Sequence, residues 1–350
     1  MLTNNQLQKT LDELDWLVKV YKKNHPTLER DWRTYEQQVA YRVKQAIAWF
    51  EPMVDKAVNT LKIYNANGAG RKPELSLKQK VILLLTKHLF GKSNREMAGM
   101  LAMFSLLTDM DVSYKTIERL YSDEPVQLVL HNLHMLILQE KGIKESDASG
   151  DGTGYGLIVK KHYASEVEKH KDKAKDVDQL AKASKQQKNK GKRQKKRKSF
   201  VYSFRLIDPK TRMYIAYGTS FKSEKEAYNR GMQMAQQTGI KLKSIRLDKY
   251  YSNQKDAKKL DSMFKGITLY LIPKSNATIR GDSAWKRTLS EFTKNTLSFL
   301  EQYYQRNQSE SGFGEDKKRF GQQIAQRLEE RVDTANSLTT LWHNLLWLEG

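Results

Sequence analysis

The chain has 350 residues, which predicts two or three domains because one hydrophobic core rarely organises so many residues. Its 62 Lys and Arg against 40 Asp and Glu give a net charge of +22, so an anionic partner is predicted, with nucleic acid ranked ahead of an anionic membrane surface. The absence of cysteine excludes disulfides and cysteine-based zinc sites and predicts an intracellular, cytoplasmic protein. No apolar run approaches the roughly 18 residues of a membrane span.

The first 66 residues are predicted to form a helical region. Val39, Val43, Ile47 and Phe50 recur at helical spacing, which gives this segment one apolar face. Residues 65–71 are rich in Gly and Asn and predict a linker to the next region.

Residues 72–140 are predicted to be a second helical region, in which two helices joined by a turn resemble a helix-turn-helix. Residues 113–121 would be its recognition helix. Ser113, Tyr114, Lys115 and Thr116 begin that helix and suit contacts with phosphates or base edges in a major groove. An ordinary helical hairpin inside a bundle is the alternative.

A strongly basic insertion follows, in residues 160–199. It holds 16 Lys or Arg and 5 Asp or Glu, and 9 of the 14 residues in 185–198 are basic. Such a composition cannot bury enough apolar surface to fold by itself. We interpret it as an arm that binds nucleic acid, and the alternative is a solvated polar insertion. The predicted DNA-binding residues are Lys192, Arg193, Lys195, Lys196, Arg197 and Lys198.

The rest of the chain predicts an α/β domain over residues 146–350. After a first strand and the insertion come a β-hairpin at residues 200–219, a helix capped by Ser223, a strand ending at Asp248, a helix, a strand and further helices. This order resembles the RNase H-like fold, a mixed five-stranded sheet flanked by helices. The predicted fold class is therefore α/β and RNase H-like, preceded by an all-α region with a helix-turn-helix.

Two acidic residues occupy notable places in this order. Asp151 lies at the first strand, and Asp248 closes the fourth. The first and fourth strands of an RNase H-like sheet are neighbours, so the two carboxylates are expected to meet although 97 positions separate them. Phosphodiester cleavage by two Mg²⁺ ions, with Mn²⁺ as a substitute, needs such hard oxygen ligands. Taken singly, Asp151 could instead be a turn residue between glycines, and Asp248 a helix N-cap.

A third acid is found near the end of the chain. Tyr303, Arg306, Glu310 and Lys317 are separated by 3, 4 and 7 positions, which places them within about 60° of arc on an α-helix. The spacing is similar to the signature of DDE-type insertion-sequence transposases of bacteria and archaea. The resemblance covers about residues 146–346. It departs from the family in the basic insertion and in Gly312 and Gly314, which weaken a helix by about 1 kcal/mol each and put the phase of Lys317 in doubt.

The resemblance implies specific roles. Asp151, Asp248 and Glu310 would bind two Mg²⁺ ions, while Arg306, Lys317 and Tyr303 would hold the phosphates of the transposon end. Water would attack first to free a 3′-hydroxyl, which then attacks target DNA. Competing carboxylates are Glu315, Glu301 and Asp147, of which Glu315 is out of phase with Arg306 on a helix.

The partners predicted on this basis are double-stranded DNA, both terminal repeats and target, and a second copy of the chain in a homodimer on DNA. The location would be the nucleoid of a prokaryotic cell. Two other functions stay open. One is an RNase H-like nuclease or resolvase, which would share the three acids, and the other is a non-catalytic DNA-binding derivative.

Overall fold

A computed structural model describes residues 2–26, 31–61, 75–108, 110–158 and 200–349. The basic insertion 160–199 with its predicted DNA-binding residues lies outside the described residues, and so does the predicted linker 65–71. No helix in the described ranges is both long enough and apolar enough to cross a membrane.

The first part of the chain is helical, as its periodicity predicts. Capping boxes begin three of the described helices, because Thr3 and Ser76 each exchange hydrogen bonds with a Gln three residues later and Ser93 does so with Glu96. The helices are α1 (Asn4–Asp12), α2 (Leu14–Asn24), α3 (Trp32–Asn59), α4 (Leu77–Leu89), α5 (Asn94–Thr108), α6 (Tyr114–Leu120) and α7 (Glu124–Glu140).

The second part combines a mixed sheet with further helices. The strands are β1 (Glu145–Leu157), β2 (Phe200–Ile207), β3 (Tyr214–Ser220), β4 (Lys241–Leu247), β5 (Thr268–Tyr270) and β6 (Gln323–Ile324). The helices are α8 (Glu224–Gln237), α9 (Gln254–Met263), α10 (Ser283–Lys294), α11 (Thr296–Tyr304), α12 (Asn307–Phe320) and α13 (Glu329–Trp347), with a 3₁₀ turn at Lys249–Tyr251.

The sheet has the strand order β3-β2-β1-β4-β5. β1 and β2, and β2 and β3, are antiparallel, whereas β1 and β4, and β4 and β5, are parallel. The first and fourth strands are therefore neighbours, as the sequence predicted. The structure adds a sixth strand, because β6 pairs with the end of β1. β6 has only two residues and pairs through backbone hydrogen bonds, so no side-chain pattern in the sequence predicts it.

Helices cover both faces of the sheet. α8 packs on one face, where Gly231 and Tyr228 meet Phe204 of β2. Because side chains alternate along a strand, Arg205 of β2 points to the other face. There it contacts α12 through Asp316 and α13 through Asn336.

Helix α13 lies at the centre of the described structure. Its residues from Thr334 to Leu346 are all buried, between the sheet and the helices α3, α4 and α7. The indole of Trp342 donates to the carbonyl of Leu85 in α4, and His134 of α7 bonds the carbonyl of Ile215 in β3. One hydrophobic cluster thus joins helices of both N-terminal regions to the sheet. The three-domain division remains a prediction.

Candidate active site

The parallel pairing of β1 with β4 brings the first two acids together. Gly150 is paired with Leu247, so the residues that follow them, Asp151 and Asp248, are neighbours at the same edge of the sheet. Asp151 lies within β1, opposite Arg205 of β2, so it is a strand residue and not part of a turn. Asp248 does cap the 3₁₀ turn, where it accepts from the backbone N–H of Tyr250 at 2.8 Å. The capping role of Asp248 and its place beside Asp151 therefore coexist.

The guanidinium of Arg306 joins three carboxylates. Its Nη2 lies 2.7 Å from Oε1 of Glu310 and 3.5 Å from Oδ2 of Asp248. Its Nη1 lies 3.4 Å from Oδ2 of Asp151. Three acids that are far apart in the sequence therefore converge on one cation. Such a concentration of negative charge is relieved by a cation among the carboxylates or by protonation of one of them.

Burial changes the protonation of the site. It raises the pKa of Asp151 to about 6, and the nearby charges of Glu310 and Asp248 act in the same direction, while a backbone hydrogen bond and Arg306 oppose them. Burial also raises the pKa of Tyr303 to about 12, so this phenol stays neutral and keeps its proton at neutral pH. The environment thus resists uncompensated negative charge at Asp151.

The four signature residues do not share one continuous helix, contrary to the prediction. Tyr303 lies in the last turn of α11, Arg306 is at the junction, and Glu310 and Lys317 lie in α12. At the junction Arg306 N–H donates to Tyr303 and Ser309 N–H to Arg306, both with the shorter i to i+3 spacing. This tightening keeps the backbone near helical geometry, so the Tyr303 ring lies 5.7 Å from the guanidinium of Arg306.

The two glycines of α12 do not interrupt it. The helix runs unbroken from Asn307 to Phe320. At Gly312 an added Cβ would lie 2.8 Å from the hydroxyl oxygen of Tyr214, so the missing side chain permits a close approach to the sheet. Lys317, five residues on, places its ammonium 5.4 Å from the ring centre of Tyr155 on β1. The glycines therefore give no reason in this helix to doubt the phase of Lys317.

The competing carboxylates lie elsewhere. Asp147 accepts from the hydroxyl of Ser244, four positions before Asp151 along β1. Glu315 borders a small cavity of about 90 Å³ beside Arg212. Glu301 is exposed and acts electrostatically on Tyr21 of α2. None of the three belongs to the group of carboxylates around Arg306.

The predicted recognition helix corresponds to α6, which packs against α5. Ser113 caps it by accepting from the backbone N–H of Thr116, and Lys115 forms an ion pair of 2.7 Å with Glu118. The ring of Tyr114 lies 5.1 Å from the guanidinium of Arg95. Ser113, Tyr114 and Lys115 are exposed and Thr116 is half-buried, so all four lie at the surface, while contact with DNA remains a prediction.

A further carboxylate beside Asp151 was not expected from the sequence. Glu224, the first residue of α8, accepts from the hydroxyl of Tyr251 at 2.6 Å. Its carboxyl carbon would lie 2.5 Å from a Cβ built on Gly152. The pair therefore connects the turn after Asp248 with the backbone after Asp151. The glycine directly after Asp151 was the available sequence signal.

The oxygen ligands are not arranged as a finished metal site. Within the described ranges, no group of three or more His, Asp or Glu side chains is spaced to hold a metal ion as it stands. At Asp151, Asp248 and Glu310 the guanidinium of Arg306 lies among the carboxylate oxygens and keeps them from closing around an ion.

A known protein resembles almost the whole chain. A protein of Archaeoglobus fulgidus named as a probable transposase for insertion sequence element ISA1214 is 36% identical over 348 residues, which is 98% of this chain and 96% of the relative. The chain belongs to the insertion-sequence transposases. No family model and no solved structure matches it. The transposase is accordingly a DNA-processing enzyme, and a DNA partner agrees with the net charge of +22.

Proposed function

We propose that the transposase is a DDE-type enzyme that cleaves the terminal repeats of its element and joins the freed 3′ ends to target DNA. The observation that carries the proposal is the convergence of Asp151, Asp248 and Glu310 on Arg306. The strand order, with three antiparallel strands followed by two parallel ones, supports an RNase H-like catalytic domain.

The donor set suits Mg²⁺, or Mn²⁺ in its place. Asp151, Asp248 and Glu310 offer only hard carboxylate oxygens, the ligands that these ions prefer. A pair of bound ions would activate the attacking oxygen and stabilise the leaving one. The 3.4–3.5 Å separations of Arg306 from the two aspartates are long for ion pairs, so this guanidinium is a weak competitor for their oxygens.

Arg306 has a second role once metal replaces it among the acids. Its planar guanidinium then suits a bidentate contact with a DNA phosphate. Tyr303 lies under this guanidinium and is largely buried, so it supports Arg306 as a neutral ring. Lys317 supplies a point charge for a further phosphate. The roles that the signature implies for these residues thus divide into phosphate contact and support.

The test is cleavage of terminal-repeat DNA with Mg²⁺, with Mn²⁺ and with a chelator. Glu310→Gln removes a charge but keeps the shape, so cleavage should fall by at least about 10³-fold while DNA affinity is retained. Asp151→Asn and Asp248→Asn should behave alike, and double variants should be no slower than single ones because the three residues act as one unit.

Glu315→Gln is the matched control, since this residue lies on the same helix but outside the group of acids, and it should cleave like the wild type. Arg306→Ala should have a different effect, because it should bind the DNA end more weakly but retain metal binding. Full activity in Glu310→Gln would reject the assignment. Cleavage without any strand transfer would favour a nuclease or resolvase, and no cleavage by the wild type would favour a non-catalytic derivative.

Joining two ends to one target calls for two active sites, and a homodimer on DNA is part of the proposal. In the same proposal α6 provides recognition of the terminal repeat. Sedimentation of the protein with a terminal-repeat duplex tests the stoichiometry. One protein per pair of ends would contradict the dimer.

A further inference from the structure

We propose that Asp316 is a positioning residue that fixes α12 on the sheet and thereby sets Glu310 beside Asp151 and Lys317 beside Tyr155; this rests on the proposed function. Asp316 directly precedes Lys317, yet its side chain points into the protein and is 3% exposed. A carboxylate buried to this degree needs a cation and several donors.

Three groups on other elements surround the Asp316 carboxylate. Arg205 Nη1 donates to Oδ2 at 2.6 Å, and the hydroxyl of Tyr214 donates to the same oxygen at 2.9 Å. Nδ1 of His343 lies 2.8 Å from Oδ1. Burial opposes ionisation, but His343 and Arg205 hold the pKa of Asp316 below its ordinary range. The group is therefore a buried carboxylate bound from β2, β3 and α13 at once.

The cation of this network lies beside the candidate catalytic strand. Arg205 is fully buried on β2 and is the cross-strand partner of Asp151. Its Nη2 also donates to Asn336 of α13 at 2.9 Å. The bond between Arg205 and Asp316 thus connects α12 to the strand residue that faces Asp151. The distance between α12 and Asp151 is therefore determined by this network of hydrogen bonds.

A second contact holds the beginning of α12. The hydroxyls of Ser309 and Ser149 lie 3.0 Å apart and are both buried, and Ser149 is two residues before Asp151 on the same face of β1. Ser309 and Asp316 are seven positions apart and lie on one face of the helix. Glu310 and Lys317 each directly follow one of these anchored residues, so the anchored face determines where both side chains project.

The experiment uses Asp316→Asn in the full chain, with two readouts. Amide hydrogen exchange over Asn307–Phe320, taken relative to β2, should speed up at least about 10-fold, because the helix loses its charged anchor. Single-turnover cleavage per folded molecule should slow by about 100-fold, since a displacement of about 1 Å has that effect on a positioned group. The Kd for terminal-repeat DNA should change much less than the cleavage rate, because Lys317 would supply only one of several phosphate contacts.

Met232→Ala is the control for lost stability. Met232 is fully buried in α8, which packs on the face of the sheet opposite to α12. This variant should unfold more easily but leave relative exchange in α12 and cleavage per folded molecule unchanged. Equal slowing in both variants would show that Asp316 acts only through stability and would overturn the proposal.

Folded Asp316→Asn with unchanged α12 exchange, or with unchanged cleavage, would also overturn it. If that variant does not fold, Tyr214→Phe, which removes one hydrogen bond to the same carboxylate, should show the same two effects to a smaller degree, and wild-type values would overturn the proposal. Absence of metal-dependent cleavage in the wild type instead rejects the proposed function, and the exchange measurement then decides the anchoring of α12 alone.

Discussion

Gly312 tests how closely α12 is held against the sheet. An alanine Cβ there would lie 2.8 Å from the hydroxyl of Tyr214, a fully buried side chain that donates to Asp316. In an open helix Gly→Ala stabilises by about 1 kcal/mol. Forcing a methyl group into a packed core costs about 1–3 kcal/mol, and a weakened hydrogen bond adds about 1 kcal/mol. The cost of the contact should exceed the helical gain, with a net destabilisation of about 1–3 kcal/mol.

Gly314→Ala is the matched control in the same helix. It is exposed, and a Cβ there would have no heavy atom within 4 Å, so only the helical preference acts. We expect a stabilisation of about 0.5–1 kcal/mol. Urea denaturation of the two variants measures the difference in sign, and cleavage per folded molecule should fall only for Gly312→Ala. If both variants were stabilised equally, the close approach of α12 to Tyr214 would be refuted.

Three further outcomes are expected. Lys115→Ala should lower the salt slope of terminal-repeat binding by about one unit if the lysine contacts a phosphate, and an unchanged slope and affinity would count against that contact. Deleting residues 185–198 should weaken DNA binding most at low salt and leave the Tm nearly unchanged, and an unfolded product would show a structural role. Because the folded pKa of Asp151 is raised to about 6, its proton competes with metal, so Mn²⁺ affinity measured by electron paramagnetic resonance should rise as pH increases through 6. In the metal-free protein the raised pKa of Asp151 predicts a contribution to stability that is present at low pH and is lost as the pH rises through about 6. Asp151→Asn should remove the pH dependence of both metal affinity and stability.

The sheet and its two aspartates were accessible from the sequence because local patterns specify them. Alternating residues between turns predicted the β2–β3 hairpin, and Ser223 caps the helix that it was expected to cap. Placing Asp151 and Asp248 together required only that the first and fourth strands be neighbours. The spacing of Tyr303, Arg306 and Glu310 could also be recognised in the sequence, whereas the break between α11 and α12 could not be predicted from it.

The buried polar groups could not be predicted, because their partners are distant in sequence. Asp316 stands next to lysines, a pattern typical of a surface residue. Its burial depends on a bond to Arg205, which is 111 positions away in the sequence. Asn336 similarly bonds Ser203 and Thr219 on the sheet, and the polar residues of α13 between Thr334 and Asn344 are buried together with the apolar ones. Periodicity reports the average polarity of a face, and it cannot report which polar groups find donors elsewhere.

The central place of α13 has a consequence for synthesis. Ribosomes produce α3, α4, α7 and the β2–β3 hairpin first, and each of them must wait for α13 to cover the apolar side it will bury. Until then the nascent chain exposes a groove that chaperones and proteases recognise. A gene copy that has lost the stretch encoding α13 is therefore expected to yield a protein that the cell removes, so that decay of the element ends its movement abruptly.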